Sequence, residues 1–264
     1  MAQPKPAHLG PAYAAQFQDA AVATAYPMRP PYPAAVFDLL ASLTVGPRVA
    51  LDAGCGTGDV ARRLARRMER VDAVDLSAAM VAMGQGQPDG DASNLRWQVA
   101  ALEDAALAGP YGLAVAGESL HWMDWERALP RLRAALAPGA PLVIIERAEL
   151  PSPWTAELLR LIIRYSTNKA FQPYNLVEEL ERRDLFALVG ALCTEPEAFS
   201  QSMDAYIESI HSRNGFSRER MPSEDAAAFD ATVAALLAPY APEGQVPLRI
   251  AAELHWGNPL ASVR

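Results

Sequence analysis

The residues of this chain best suited to chemistry are the loop Asp52-Ala-Gly-Cys-Gly-Thr-Gly58 and a second acid, Asp75. Glycine has no Cβ atom, so such a loop can adopt positive φ angles and bring its N–H groups against a ligand at the N-terminus of the next helix. An acid that ends the following strand, about 20 residues beyond the glycines, is placed to accept hydrogen bonds from ribose hydroxyls. Together the two features predict a site for a nucleotide-containing ligand.

Two strands and one helix must position this loop. Apolar runs at residues 49–51 and 71–75 predict the strands. Between them, Asp59 begins a helix, whose apolar face consists of Val60, Ala61, Leu64, Ala65 and Met68. A solvated surface, rather than a nucleic-acid patch, is our interpretation of the arginines on the opposite face, which are Arg62, Arg63, Arg66 and Arg67. Strand, loop, helix, strand and acid thus form one βαβ unit.

The glycine spacing separates two classes of cofactor. Dinucleotide-binding loops favour G-x-G-x-x-G, whereas this loop has Gly54, Gly56 and Gly58 with Asp52 ahead of them. An acid at that position would repel a pyrophosphate and suits a cationic amino group. With its D-x-G-x-G-x-G motif the chain resembles the class I S-adenosylmethionine-dependent methyltransferases, and the resemblance covers residues 46–150.

This resemblance implies S-adenosylmethionine as the cofactor and assigns residues to its parts. Asp52, Gly54 and Gly56 would hold the methionine portion, and Asp75 the ribose. The adenine would contact Leu76, Leu102 and either Glu103 or Asp104, and the other cofactor contacts would be Arg29, Cys55, Gly58, Met80 and Ser119. Two positions depart from the family pattern, which often has a polar residue at Ala101 and an aspartate at Gly112.

Candidate catalytic residues come from the end of the fourth predicted strand and from the N-terminal segment. His121 and Trp122 are similar to a pair in small-molecule methyltransferases related to trans-aconitate methyltransferase. His121 can take a proton near neutral pH or can simply line the pocket, and the face of Trp122 can attract a sulfonium cation. By resemblance, Tyr26 and Arg29 approach the methionine end of the cofactor. A proline-rich connector is the alternative for their segment.

The resemblance implies a Rossmann-like, doubly wound α/β fold. Its seven-stranded, mostly parallel sheet would have an antiparallel last strand and a helical cap inserted after the fifth strand. Further strands are expected at residues 95–99, 111–115, 141–145 and 248–256, and further helices at 34–43, 131–136, 154–165, 176–188, 204–211 and 226–237. The expected regions are an N-terminal cofactor-covering segment (1–45), the cofactor-binding core (46–150), a helical cap that chooses the substrate (151–240) and the terminal strand (241–264).

Composition limits the partners. A net charge of −8 over 264 residues argues against sequence-independent binding to nucleic acid, which needs clustered Lys and Arg. No run of about 18 apolar residues predicts a membrane span, and two cysteines predict no disulfide framework, so we expect a cytoplasmic protein. Four dispersed histidines predict no metal site. The aromatic residues of the expected cap suggest a mostly apolar acceptor with one polar handle, and these are Trp154, Tyr165, Phe171, Tyr174 and Phe186.

The function expected from these features is methyl transfer to a small molecule by in-line displacement at an oxygen, nitrogen or carbon atom. An acidic acceptor related to the trans-aconitate case is equally allowed. Arg213 could bind an anionic substrate, but a helix terminus with a glycine stop is the favoured interpretation of its segment. The alternative is a protein that binds S-adenosylmethionine without methyl transfer, either as a regulatory or scaffold subunit or as the catalyst of a rearrangement. A nicotinamide-dependent oxidoreductase is disfavoured because Gly58 falls one residue early for the dinucleotide pattern.

Overall fold

A mixed sheet forms the centre of the computed structural model, which describes residues 5–260. The strands are β1 (Val49–Ala53), β2 (Arg70–Asp75), β3 (Leu95–Val99), β4 (Leu113–Gly117), β5 (Leu142–Glu149), β6 (Phe186–Cys193), β7 (Glu197–Ser202) and β8 (Gln245–Pro259). The helices are α1 (Pro11–Ala14), α2 (Ala20–Ala25), α3 (Ala34–Leu43), α4 (Asp59–Ala65), α5 (Ala78–Gln85), α6 (Trp125–Ala135), α7 (Thr155–Tyr165), α8 (Leu176–Arg182), α9 (Met203–His211) and α10 (Ser223–Leu237). Within residues 5–260, no helix is both long and apolar enough to cross a membrane.

The strand order is β3-β2-β1-β4-β5-β8-β6, with β7 also paired to β8. Strands β1 to β5 are parallel to one another, and β8 runs antiparallel between β5 and β6. The expected fold is therefore confirmed, including the antiparallel last strand. Eight strands occupy seven positions because β6 and β7 follow one another along the same edge of β8, where Cys193 lies opposite Glu253 and Glu197 opposite Ile250.

Helices cover both faces of the sheet. On one face, α3 and α4 bury side chains such as Phe37 and Leu64 against β1, β2, β4 and β5. On the other face, α6 and α8 bury Leu129 and Leu180 in a second cluster. The α4 residues expected to be buried are all buried. A third cluster joins α7, α9 and α10 to the first half of β8 and forms the cap beside the sheet.

The helix expected at residues 176–188 was too long. Helix α8 ends at Arg182, and Phe186 begins β6. Asp184 adopts a positive φ of 56°, and its N–H donates to Glu181 O while Leu185 N–H donates to Leu180 O. These two bonds form a Schellman motif, which normally has glycine at the left-handed position. With aspartate there, the helix end gave no clear signal in the sequence.

The helix expected at residues 131–136 was too short. Helix α6 begins at Trp125 and contains Pro130 in its interior. An internal proline loses a hydrogen bond and costs about 3 kcal/mol in a helix, so the segment around Pro130 carries little local signal for a helix. Burial of Trp125 and Leu129 against the sheet offsets that cost.

Candidate functional site

The glycine loop follows β1 and has the backbone expected from its sequence. Gly54, Gly56 and Gly58 have φ angles of 71°, 53° and 74°. A Cβ atom on Gly54 would lie 2.5 Å from Ser119 Cβ, and one on Gly58 would lie 2.3 Å from the Trp97 ring. Both distances are too short for any other residue, so the conformation and the packing require glycine at these two positions.

Asp75 ends β2, and the loop holds its carboxylate in place. Asp75 Oδ2 accepts a 2.7 Å hydrogen bond from Gly56 N, and Oδ1 accepts one of 2.7 Å from Ser77 N. Each oxygen keeps acceptor capacity for a further partner. Burial raises the pKa of Asp75. The sequence thus brings the predicted ribose acceptor directly onto the glycine loop.

A first cavity opens at the carboxyl ends of β1, β2 and β4, where the strand order reverses between β1 and β4. This position is where open α/β sheets bind ligands. The cavity holds about 850 Å³ including its mouth, within the range of small-molecule sites. Its lining contains ten of the predicted site residues, which are Tyr26, Gly54, Gly56, Asp75, Leu76, Met80, Leu102, Glu103, Ser119 and Trp122.

The adenine-edge candidates separate in the structure. Glu103 lines the first cavity, and its Oε1 accepts a 2.6 Å hydrogen bond from Asp124 N. Asp104 is outside the lining and pairs with Arg127 at 2.6 Å. Leu102 is buried, whereas Leu76 is 55% exposed, and both residues line the cavity. An exposed apolar face beside a carboxylate suits a flat heterocycle with one polar edge.

Five predicted site residues are not in the lining of the first cavity. Cys55, within the loop, has a buried side chain, and Gly58 is covered by Trp97. Asp52 is 1% exposed, and its Oδ2 has no hydrogen-bond partner among residues 5–260. Burial raises the pKa of Asp52 to about 7. Arg29 lines a neighbouring cavity instead.

His121 is the fifth of these residues. Its ring packs against Trp122 with the ring centroids 4.7 Å apart, and Trp122 is the residue of the pair that lines the cavity. Burial lowers the pKa of His121 to about 4. The imidazole is therefore neutral at neutral pH. Of the pair, Trp122 rather than His121 is the residue that can contact a ligand in the first cavity.

Glu118 is a site residue that was not expected from the sequence. It follows β4 with a positive φ of 51°, a strained backbone for glutamate. Its Oε2 accepts hydrogen bonds from Arg29 Nη1 at 3.2 Å and from Arg147 Nη1 at 3.1 Å. Burial opposes ionisation of Glu118, but Arg147 and Arg29 outweigh it and lower its pKa. An acid directly after a parallel strand was the available signal.

A second cavity of about 640 Å³, including its mouth, adjoins the first one. Glu118 lines both cavities. The second cavity is lined by Arg29, Pro30, Glu118, Arg147, Glu149 and Arg213. The aromatic residues from which the sequence suggested a mostly apolar acceptor are absent from the linings of both cavities. They are Trp154, Tyr165, Phe171, Tyr174 and Phe186.

Tyr26 and Arg29 connect the two cavities from the N-terminal segment. The Arg29 guanidinium stacks 4.1 Å from the centre of the Tyr26 ring, and Arg29 Nε donates to Ser212 Oγ at 2.7 Å. Tyr26 lines the first cavity and Arg29 the second. In the described part of the chain, no group of three or more His, Cys, Asp or Glu residues could hold a metal ion.

Comparison with known sequences matches one part of the chain, which contains the glycine loop and Asp75, to a recognised domain. Residues 50–139 match a family described as a methyltransferase domain. An uncharacterized methyltransferase of Mycobacterium bovis is 34% identical over 107 residues, which is 40% of this chain and 53% of that protein. The trans-aconitate 2-methyltransferase of Deinococcus radiodurans is 35% identical over 97 residues, 36% of each chain. The chain thus spans about half or less of the length of these curated relatives.

Solved structures are similar over more of the chain. A protein of Anaeromyxobacter dehalogenans whose name assigns it to the type II methyltransferases has a TM-score of 0.61 and 24% identity, covering 87% of this chain and 97% of that one. The [4+2]-cyclase SpnF has a TM-score of 0.54 and 18% identity, covering 98% of this chain and 100% of that one. At these identities the similarity concerns the fold alone.

Proposed function

We propose that this chain, whose residues 50–139 form a methyltransferase domain, is an S-adenosylmethionine-dependent methyltransferase that acts on a small molecule and releases S-adenosylhomocysteine. One observation carries the proposal. The Asp75 carboxylate is held by the N–H groups of Gly56 and Ser77 in a cavity bordered by Gly54 and Gly56, both at positive φ. Backbone of this kind suits close approach of a ligand, and the carboxylate suits a ribose.

The residues of the first cavity fit S-adenosylmethionine part by part. Asp75 would accept the ribose hydroxyls, because both of its oxygens are positioned and keep acceptor capacity. Leu76 and Leu102 would enclose the adenine, with Glu103 at its edge. Gly54 and Gly56 would let the methionine portion pass close to the backbone.

In this proposal the Asp52 carboxylate supplies a negative charge at the start of the loop. It is on β1, two residues before Gly54, and is removed from water. A cationic amino group bound above the loop would favour its ionised form.

Positioning and exclusion of water are the main contributions of the protein to the reaction. When bound, S-adenosylmethionine supplies an electrophilic methyl group. Phe17, Tyr26 and Trp122 place aromatic rings around the first cavity and limit access of water. Trp122 and Tyr26 also offer faces that stabilise a cation. Because His121 lies outside the lining and its lowered pKa makes it a weak base, alignment rather than proton transfer accounts best for catalysis.

Calorimetric titration with S-adenosylmethionine, S-adenosylhomocysteine and NAD tests this proposal. We expect micromolar binding of the two sulfur compounds and no heat from NAD. If neither sulfur compound binds, the methyltransferase assignment must be withdrawn. If both bind and no acceptor in a broad panel is methylated, the protein binds the cofactor for another purpose.

A cytoplasmic location stays a prediction, supported by the two unpaired cysteines, Cys55 and Cys193.

A further inference from the structure

The second cavity is placed to hold the methyl acceptor of the proposed reaction. It shares Glu118 with the first cavity. Arg29, on its lining, stacks on Tyr26, on the lining of the first cavity. A molecule bound in the second cavity can therefore extend past Glu118 toward the first one. This placement depends on the proposed function, because it treats the first cavity as the cofactor site.

Charges around the second cavity do not balance. The ion pairs of the lining residues, and the pairs connected to them, contain three carboxylates and four guanidinium groups. The carboxylates are those of Asp59, Glu118 and Glu149. The guanidinium groups are those of Arg29, Arg63, Arg147 and Arg213. Arg147 and Arg63 share Asp59, at 3.5 Å and 3.4 Å. One positive charge is left over. In a partly buried site such a surplus attracts a single anionic group.

Arg213 carries the most available of these guanidinium groups. Its side chain is 39% exposed, and its ion pair with Glu149 Oε2 is 3.4 Å long, beyond the usual range of a charge-assisted hydrogen bond. The other oxygen of Glu149 accepts a 2.8 Å hydrogen bond from Tyr206. Arg29, in contrast, donates to Ser212, Tyr26 and Glu118. Arg213 thus keeps donors for a ligand.

We propose that the second cavity binds the acceptor through one carboxylate group, which Arg213 recognises. The planar guanidinium fork matches a carboxylate in a bidentate pair. A carboxylate brings one negative charge, which equals the surplus, whereas a phosphate monoester brings about 1.5 to 2. Glu118 and Glu149 disfavour ligands with several charges, because any anionic group beyond the first would face them.

The test is a binding screen on the full-length protein saturated with S-adenosylhomocysteine. The probes are small monocarboxylic acids of varied shape, each paired with its primary amide and with a dicarboxylate or phosphate-ester analogue of similar size. Saturation-transfer NMR detects binding, and calorimetry measures each hit. We expect hits among the acids, with the matched amides and multiply charged analogues weaker by about tenfold or more.

Two variants locate the site. We expect Arg213→Gln to lose about tenfold or more in affinity for the acid hits, and Arg213→Lys to lose less. Arg160→Gln is the matched control, because it removes the same charge from a side chain of the cap that is 73% exposed and outside both linings. It should bind the acids like the wild type. Affinity for S-adenosylhomocysteine, measured first on every variant, shows that the fold is retained.

Three outcomes would overturn the inference: no acid binds, amides bind as well as acids, or Arg213→Gln binds the acids as the wild type does. Each of them leaves the proposed methyltransferase intact as long as S-adenosylhomocysteine binds. Failure of S-adenosylhomocysteine to bind would instead contradict the proposed function itself, and the two failures are therefore distinguishable.

Discussion

Asp52 shows how strongly the fold changes the chemistry of a single residue. Its side chain is 1% exposed, and burial raises its pKa from 3.8 to about 7. As the pH rises from about 4 to about 7, the unfolded chain releases this proton while the folded protein still holds it. The contribution of Asp52 to stability is thus present below pH 4 and is lost as the pH rises through 7.

We therefore expect Asp52→Asn to gain stability relative to the wild type as the pH rises. Asparagine has the same shape and no charge, so the difference in the free energy of unfolding between variant and wild type should shift by a few kcal/mol between pH 5 and pH 8. Urea denaturation at both values measures it. Asp91→Asn, at an exposed loop position, is the control. A difference that does not change with pH would show that Asp52 is not buried as described.

Asp75 gives a second prediction for a single residue. Asp75→Ala removes the carboxylate that Gly56 N and Ser77 N position, and we expect S-adenosylhomocysteine binding to weaken by about 1 to 3 kcal/mol. Asp104→Ala is the matched control, because Asp104 lies in the adenine-edge segment but pairs with Arg127 outside the cavity. Calorimetry compares the two. Unchanged affinity in Asp75→Ala would exclude the ribose role.

At the scale of elements, the turn from β1 into α4 combines two demands on its glycines. Gly58 is the residue before α4 and has a left-handed backbone. It also lies against Trp97 of β3, whose indole N–H donates to Gly90 O at 2.9 Å. Gly58 is therefore required both by its left-handed backbone and by its close packing. The two effects on stability can be separated by comparison with a glycine that has a left-handed backbone but no close neighbour.

Gly244 is that comparison, with φ of 73° and open space, to 4 Å, where a Cβ atom would lie. Both Gly58→Ala and Gly244→Ala should cost about 1 to 2 kcal/mol for the left-handed backbone. Gly58→Ala should cost about 1 to 3 kcal/mol more, because its methyl group would overlap Trp97. Chemical denaturation of both variants gives the difference. Equal losses would mean that Trp97 moves aside without penalty.

At the scale of the whole molecule, hydrogen bonds connect the N-terminal segment to the cap. Asp19 accepts hydrogen bonds from Arg220 at 2.6 and 2.9 Å and from Ser217 at 2.7 Å, and Gly215 N donates to Gln16 Oε1 at 2.9 Å. The hydrogen bonds of Arg220 lower the pKa of Asp19, so it is charged at neutral pH. These hydrogen bonds hold the segment that carries Phe17 and Tyr26 at the first cavity.

Weakening the hydrogen bonds between Asp19 and the cap should speed the release of S-adenosylhomocysteine. We expect Asp19→Asn to raise the dissociation rate of S-adenosylhomocysteine several-fold, because the segment would open more often. Stopped-flow fluorescence can follow the change through Trp122, whose ring lies 5.2 Å from that of Phe17. Asp89→Asn, which breaks an exposed pair with Arg66 outside both cavity linings, is the control. Equal rates in the two variants would argue against a covering role.

The sequence by itself determined the features that local patterns encode. The glycine loop, Asp75, the bounds of α3 and β3 and the apolar face of α4 were all predictable, because glycine conformation and residue periodicity act over a few neighbouring positions. The resemblance to class I methyltransferases rested on the same segment, and the domain match at residues 50–139 confirms it. Ten of the site residues predicted from the loop and from this resemblance line the first cavity.

The tertiary structure alone decided which side chains meet. Glu118, Arg147 and Arg213 come from three distant segments, and no local pattern links them, yet they line one cavity. Folding likewise left Asp52 and His121 outside the lining of the first cavity, and desolvation shifted their pKa values. Sheet packing retained Pro130 within α6. Such outcomes depend on contacts between residues far apart in the chain, and a pattern of neighbours along the chain does not contain them.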